Sequence, residues 1–170
     1  FDEEGFYRIG DAGRFADPND PVKGVEFDGR IAEDFKLMSG IWVHAGALRV
    51  KALALLAPVA QDIVVAGHDR EEAGFLVFAN PPGCRGLCPD LPAEAPLEQV
   101  LADPRVAAQL REGLAKLKVA GGGSSTYATR ALLMAEPPSI DANEITDKGY
   151  INQRAVLARR AALVERLYAE

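Results

Sequence analysis

Apolar and polar positions follow each other in three ways along this chain, and the changes between them mark its elements. Near the start, Val25 and Phe27 sit between charged neighbours. That two-residue rhythm belongs to a strand with one buried face. Residues 7–16 and 24–28 read as short strands, Gly29-Arg30 as a turn, and residues 33–38 as a returning strand. Residues 45–56 are rich in alanine and leucine and predict a helix, which Pro58 stops because proline has no amide hydrogen and clashes with the preceding turn. Residues 63–66 and 75–79 are unbroken apolar runs, short and flanked by Gly or Asp, which predicts buried strands. The polar Gly67-His-Asp-Arg-Glu-Glu72 between them predicts a hairpin connection.

A helical rhythm takes over further on. Asp103-Pro104 is a good start, since Asp can cap free amides and Pro at the first position loses no hydrogen bond. Val106, Leu110, Leu114 and Leu117 then form one stripe, and Gly121-Gly-Gly123 ends the helix. Residues 131–135 predict a third short strand, residues 136–150 a loop, and residues 153–168 a last helix with Val156, Leu157, Leu163, Val164 and Leu167 on one face. The prolines and glycines of residues 80–96 predict a long surface loop without regular structure. The order is a β-hairpin, then α, β, β, α, β, α. It predicts an α+β fold: helices packed on a small three-stranded sheet, plus an N-terminal β-hairpin.

Composition narrows the partners. With 170 residues the chain makes one ordinary domain, not two large ones. Its 19 Lys and Arg against 25 Asp and Glu give a formal charge of −6, and the basic residues are spread out. Binding a nucleic-acid backbone needs a concentrated basic face, so no such partner is expected. No apolar run approaches the roughly 18–20 residues that span a bilayer, so no membrane partner is expected either. The first residues, Phe1-Asp-Glu-Glu-Gly5, lack the basic and apolar regions of a signal peptide and an initiator methionine. The expectations are a cytoplasmic location and an excised piece of a longer protein.

Two glycine- or cysteine-bearing stretches invite chemistry and are declined. Gly121-Gly-Gly-Ser-Ser-Thr126 lacks the Gly-Lys-Ser/Thr end and the preceding strand of a phosphate loop. Cys84 and Cys88 are too few for a zinc site, which needs about four ligands, and His44 and His68 lie on other segments. A labile disulfide or an idle thiol pair remains.

Three motifs stand in register. They are Tyr7-Arg-Ile-Gly-Asp11, the stretch from Asp28-Gly-Arg30 through Lys36 to Ser39-Gly40 and Trp42, and Thr146-Asp-Lys148 within the long loop before the last helix. Taken one at a time these are ordinary turn and loop residues. Together they resemble the adenylate-forming superfamily of acyl- and aryl-CoA synthetases, most nearly its feruloyl-CoA synthetase branch. The resemblance runs over the whole chain and is best in the first fifty and the last thirty-five residues.

That resemblance implies an architecture and a chemistry. Residues 1–31 would be the terminal strands and hinge of a large N-terminal domain, and residues 32–170 the C-terminal lid. The intact enzyme would be an acid–CoA ligase using ATP, Mg2+ and coenzyme A on an aromatic carboxylic acid, feruloyl or another hydroxycinnamate. Lys148 would be catalytic, stabilising charge on the transferring phosphoryl group. Asp11 and Arg30 would bind the nucleotide. Carboxylate oxygens suit the vicinal hydroxyls of a ribose, and a guanidinium stays charged and forks. Lys36, Ser39 and Gly40 would form the hairpin for thioesterification, with Gly40 leaving room for a pantetheine arm.

Some positions depart from the family pattern. Ile9 stands where Thr is usual. Ala32 stands at the hinge where Asp or Lys is usual, so the pivot could be Ala32, Gly29 or Glu33. Gly40 follows Lys36 one residue later than usual, and Gly149 follows Lys148 where the family places Gly before Lys. The acid pocket and phosphate loop would lie before Phe1, so this chain alone is expected to be inactive. Two other classes stay open: the lid of a ligase that loads a carrier protein, and a non-catalytic module that binds a protein through its Pro-rich loop.

Overall fold

The computed structural model describes residues 1–7 and 9–169, and of Asp28 it describes the backbone. Arg8 of the first motif and the side chain of Asp28 lie outside the described residues.

A three-stranded sheet lies at the centre. Strands β5 (Ala60–Ala66) and β6 (Ala73–Ala79) pair antiparallel, with Val64 opposite Leu76 and Val65 opposite Phe75. Strand β7 (Ala128–Met134) runs parallel to β6, so β6 is central and every one of its residues is buried. Helices cover both faces, which is why β5 and β6 read as continuous apolar runs and not as alternating ones.

On one face, Ile63, Val65, Phe75 and Val77 meet α1 (Ala45–Leu55), α2 (Pro81–Gly86), α3 (Leu97–Leu101) and α4 (Pro104–Ala120). On the other, Val64, Leu76, Phe78 and Met134 meet α5 (Gln153–Arg159) and α6 (Ala161–Tyr168). Each large side chain buried in this way contributes about 1.5–3 kcal/mol. The capped start of α4 is as expected, with the Asp103 carboxylate accepting from Arg105 N–H at 2.9 Å.

Two small two-stranded sheets precede this body. Strands β1 (Asp11–Phe15) and β2 (Val25–Arg30) form an N-terminal antiparallel hairpin, so a hairpin is present as expected but between the first two strands. Strand β3 (Phe35–Lys36) pairs with β4 (Trp42–Val43). The fold is therefore the α+β arrangement that the sequence predicts.

Four expectations need correction. Gly29-Arg30 is not the turn: both residues end β2, and the chain turns one step later, in a 3-10 turn at Ile31–Glu33. The strand after it does not return along β2. It is two residues long and pairs forward with β4, because Leu37 and Val43 find the main core while β2 is already paired with β1. Residues 80–96 are not a structureless surface loop. Prolines at the first two positions are tolerated in α2, and Cys84 and Cys88, 0 % and 2 % exposed, seat the segment in the core. Its apolar side chains are spent on folding, which weakens the protein-binding module. Finally, residues 153–168 are two helices broken at Arg160 (φ −101°, ψ 29°), not one.

Candidate functional site

A cleft of about 430 Å³ opens where the end of β2 crosses the first turn of α1. The crossing depends on two glycines. Gly29 is buried at φ +99°, and a Cβ on Gly46 would stand 2.5 Å from its Cα. No side chain fits between these backbones, so the strand end lies directly on the helix. Asp11 and Arg30 are paired across β1 and β2 and both line the cleft. Glu33 and Arg49 line it too, together with Tyr150, Ile151 and Gln153.

Charges in this region are set by their neighbours. Arg49 forks onto Asp62, with Nε–Oδ1 and Nη2–Oδ2 both 2.7 Å, and that carboxylate holds the guanidinium charged. Burial pushes the Glu33 carboxyl up, against the pull of Arg30 and Arg49. Asp34 accepts from the Ala45 amide at 3.0 Å and sits 2.8 Å from His44 Nδ1, so a residue of the linker caps α1. Ala32 is the middle residue of the turn between β2 and β3, and it is exposed.

Lys148 sits at the exposed tip of a tight turn. Ile145 bridges Ile151, Thr146 N–H donates to Tyr150 O at 2.8 Å, and Gly149 at φ +80° donates to Thr146 O at 2.9 Å. Lys148 is not on the cleft wall, but Tyr150 and Ile151 of the same turn are. Gln153 fixes the end of this loop. Its Oε1 accepts from Val65 N–H at 3.0 Å in the central sheet, and its Nε2 donates to Glu33 O at 3.3 Å in the linker.

Lys36, Ser39 and Gly40 lie elsewhere and do not line the cleft. Gly40 takes φ +82° at the hairpin tip and donates to Leu37 O at 2.8 Å. Lys36 Nζ lies 5.1 Å over the Trp42 ring. Met38, Ile41 and Trp42 leave apolar surface exposed around it. The sequence-predicted residues thus fall into two groups. Asp11 and Arg30 share a cleft with Tyr150 and Ile151 from the end of the Lys148 turn, and the Lys36–Gly40 hairpin is separate.

Sequence reasoning passed over Arg49, Gln153 and a buried ion pair, Glu144–Arg160, beneath the Lys148 loop. The adjacent Arg159-Arg160 was a visible signal, but its partner stands sixteen residues earlier in a polar loop.

No family model and no curated protein matches the sequence. Solved structures do match the fold. The A domain of carboxylic acid reductase from Segniliparus rugosus, in complex with AMP and a co-purified carboxylic acid, gives a TM-score of 0.73 at 23 % identity, over 99 % of this chain and 24 % of that one. The A-PCP didomain of the same enzyme, in complex with AMP, gives 0.69 at 22 %, over 99 % and 21 %. A fatty acyl CoA synthetase from Mycobacterium tuberculosis gives 0.51 at 14 %, over 96 % and 26 %. At such identities the likeness is one of fold. The chain spans about a quarter of the length of these structures.

Proposed function

We propose that this chain is the hinge and C-terminal lid of an adenylate-forming enzyme that activates a carboxylic acid. The observation that carries the reading is the convergence on one cleft of Asp11 and Arg30 with Tyr150 and Ile151, which flank the Lys148 turn. The fold likeness to adenylation domains over nearly the whole chain supports it. In this reading residues 1–31 belong to the large domain that precedes the lid. Phe6, Ile9, Val25 and Phe27, 66–68 % exposed, are the apolar surface that packs on it.

The reaction has two halves. The acid carboxylate attacks the α-phosphorus of ATP, forming acyl-adenylate and releasing pyrophosphate. Lys148 brings a positive charge to the phosphoryl oxygens as their charge develops. Asp11 accepts hydrogen bonds from the ribose hydroxyls, and Arg30 holds the nucleotide. The thiol of coenzyme A then attacks the acyl carbon and expels AMP, with the Lys36–Gly40 hairpin lining the path of the pantetheine arm. Magnesium accompanies the ATP phosphates, and no residue here is assigned to it. The acid is aromatic, a hydroxycinnamate such as ferulate, on the resemblance of residues 136–154 to the feruloyl branch.

One observation favours a second acceptor: one matched structure is an A-PCP didomain. An adenylating domain can hand its acyl group to a carrier-protein arm in place of free coenzyme A. Thioester formation on free coenzyme A by the intact gene product decides between the two.

The test of the main reading uses that intact product with and without Lys148→Ala. Acid-dependent pyrophosphate release should fall by orders of magnitude in the variant, while thioester formation from presynthesised acyl-adenylate persists. No pyrophosphate release with any acid of a broad panel, or an unimpaired variant, would overturn it. The 170-residue chain alone should fold and bind neither ATP nor coenzyme A at sub-millimolar concentration in titration calorimetry.

A further inference from the structure

The loop that carries Lys148 rests on charge placed inside the protein. Glu144 is fully buried and Arg160 is 5 % exposed. Arg160 Nε donates to Glu144 Oε1 at 2.7 Å and Nη2 to Oε2 at 2.9 Å. Arg160 also reaches the start of the loop, donating to Glu136 O at 3.1 Å and Pro137 O at 2.9 Å, with its guanidinium 4.9 Å over the Phe78 ring. The Glu144 carboxylate accepts from Ser139 N–H at 2.8 Å, and the Glu144 carbonyl accepts from Asn152 N–H at 2.8 Å. Half-exposed Arg159 adds ties to Glu144 at 2.8 Å and to Glu136 at 3.0 Å. The side chains of one ion pair therefore gather residues 136, 137 and 139 at the beginning of the loop, and the main chain of Glu144 ties that point to residue 152 at its end. Lys148 lies on the stretch in between.

A buried ion pair is a poor way to stabilise a fold, because removing two charges from water costs about as much as their attraction returns. Apolar side chains of the same volume would fill the space as well. They could not bind two carbonyls and an amide of the loop, so what the pair adds is a fixed loop. We infer that Glu144 and Arg160 are positioning residues, which hold the loop that presents Lys148 and so set the rate of the adenylate-forming half-reaction. The inference rests on the role proposed above for Lys148.

The variant to make is the double change Glu144→Leu with Arg160→Met, which keeps volume and apolar packing and removes every side-chain tie made by the pair, leaving the main-chain bonds of Glu144 in place. In the intact gene product, pyrophosphate release should fall about tenfold to a hundredfold, the loss that a misplaced catalytic group brings, with thioester formation from presynthesised acyl-adenylate changed by no more than about twofold. In the 170-residue chain, tryptic cleavage after Lys148 should accelerate about tenfold while cleavage within α4 at Arg111 does not, since only local opening is being changed. Equal losses in both half-reactions, or an unchanged rate of cleavage after Lys148, would overturn the inference. If Lys148→Ala leaves pyrophosphate release intact, the functional reading fails by itself, and the cleavage rates still decide whether the pair holds the loop. Should the double variant not fold, Arg159→Met removes one tie to Glu144 and one to Glu136. It should speed cleavage after Lys148 by a smaller factor, and no change there also overturns the inference.

Discussion

The two turns that carry Lys36 and Lys148 are both exposed and both close on a glycine of positive φ, yet they are fastened by different means. The Lys36 hairpin hangs on main-chain bonds. Leu37 N–H donates to Ile41 O at 2.9 Å, Met38 N–H to Arg70 O at 2.8 Å, and Asp69 N–H to Lys36 O at 3.2 Å, with buried Leu37 as its peg. The Lys148 turn has its own main-chain bonds, but the loop beneath it is gathered by the Arg160 guanidinium and the Glu144 carboxylate. Fastening spread over many amides tolerates the loss of any one. Fastening through one buried pair fails when either partner goes.

The largest expected effect follows from that asymmetry. Arg160→Ala leaves the Glu144 carboxylate buried with only half-exposed Arg159 to face it, and should cost about 3–5 kcal/mol in urea denaturation of the chain. A loss below 1 kcal/mol would mean that the loop is not hung from this pair. Leu37→Ala tests the other turn. Leu37 is 2 % exposed, and its truncation should cost about 2–4 kcal/mol, all of it from packing. Amide exchange should then speed up in residues 35–43 and stay unchanged in residues 144–152. Joint loosening of both turns would erase the distinction.

Acid should separate the turns more gently. The Arg160 guanidinium holds the Glu144 carboxyl down to about 2, below the ordinary 4.5. A depressed folded-state pKa contributes stability that is present above the unfolded value and is lost as pH falls through the folded one. Amide exchange at Ser139, corrected for the intrinsic effect of pH, should thus become less protected from about pH 4.5 toward 2, while Met38 keeps its protection. Equal protection loss at both amides would show that acid acts on the whole fold.

Periodicity made one turn's surroundings readable and hid the other's. Helix α4 was legible because its apolar side chains repeat with the helical period, α1 because it is rich in alanine and leucine, and the strands β5, β6 and β7 because each holds a short apolar run. Arg159-Arg160 was visible only as a basic pair within an apparently continuous amphipathic helix. Arg160, at the break, pairs with a carboxylate sixteen residues away, and no local pattern reports such a partner. The pairing of β3 was missed for a related reason: two residues carry no rhythm, and their register is set by Leu37 and Val43 reaching a distant core. The candidate cleft was half legible. The family resemblance marked Asp11 and Arg30, but the glycine crossing that brings them beside Arg49 and Tyr150 joins segments that sequence distance keeps apart.

The smallest expected effects fall on the lysines themselves, and they bear on what the turns are for. Lys36 has the Trp42 ring 5.1 Å away, an exposed cation–π contact of about 0.5 kcal/mol. Among the described residues Lys148 has no ion pair. Lys36→Ala should therefore lower the chain's stability by about 0.5 kcal/mol, and Lys148→Ala should leave it within about 0.5 kcal/mol of the original. Matched urea denaturations of the three proteins measure this. A side chain that holds nothing in the fold is free to act outside it, as the role proposed for Lys148 requires. A loss above 1 kcal/mol in Lys148→Ala would make it a structural residue and remove that argument for its chemistry.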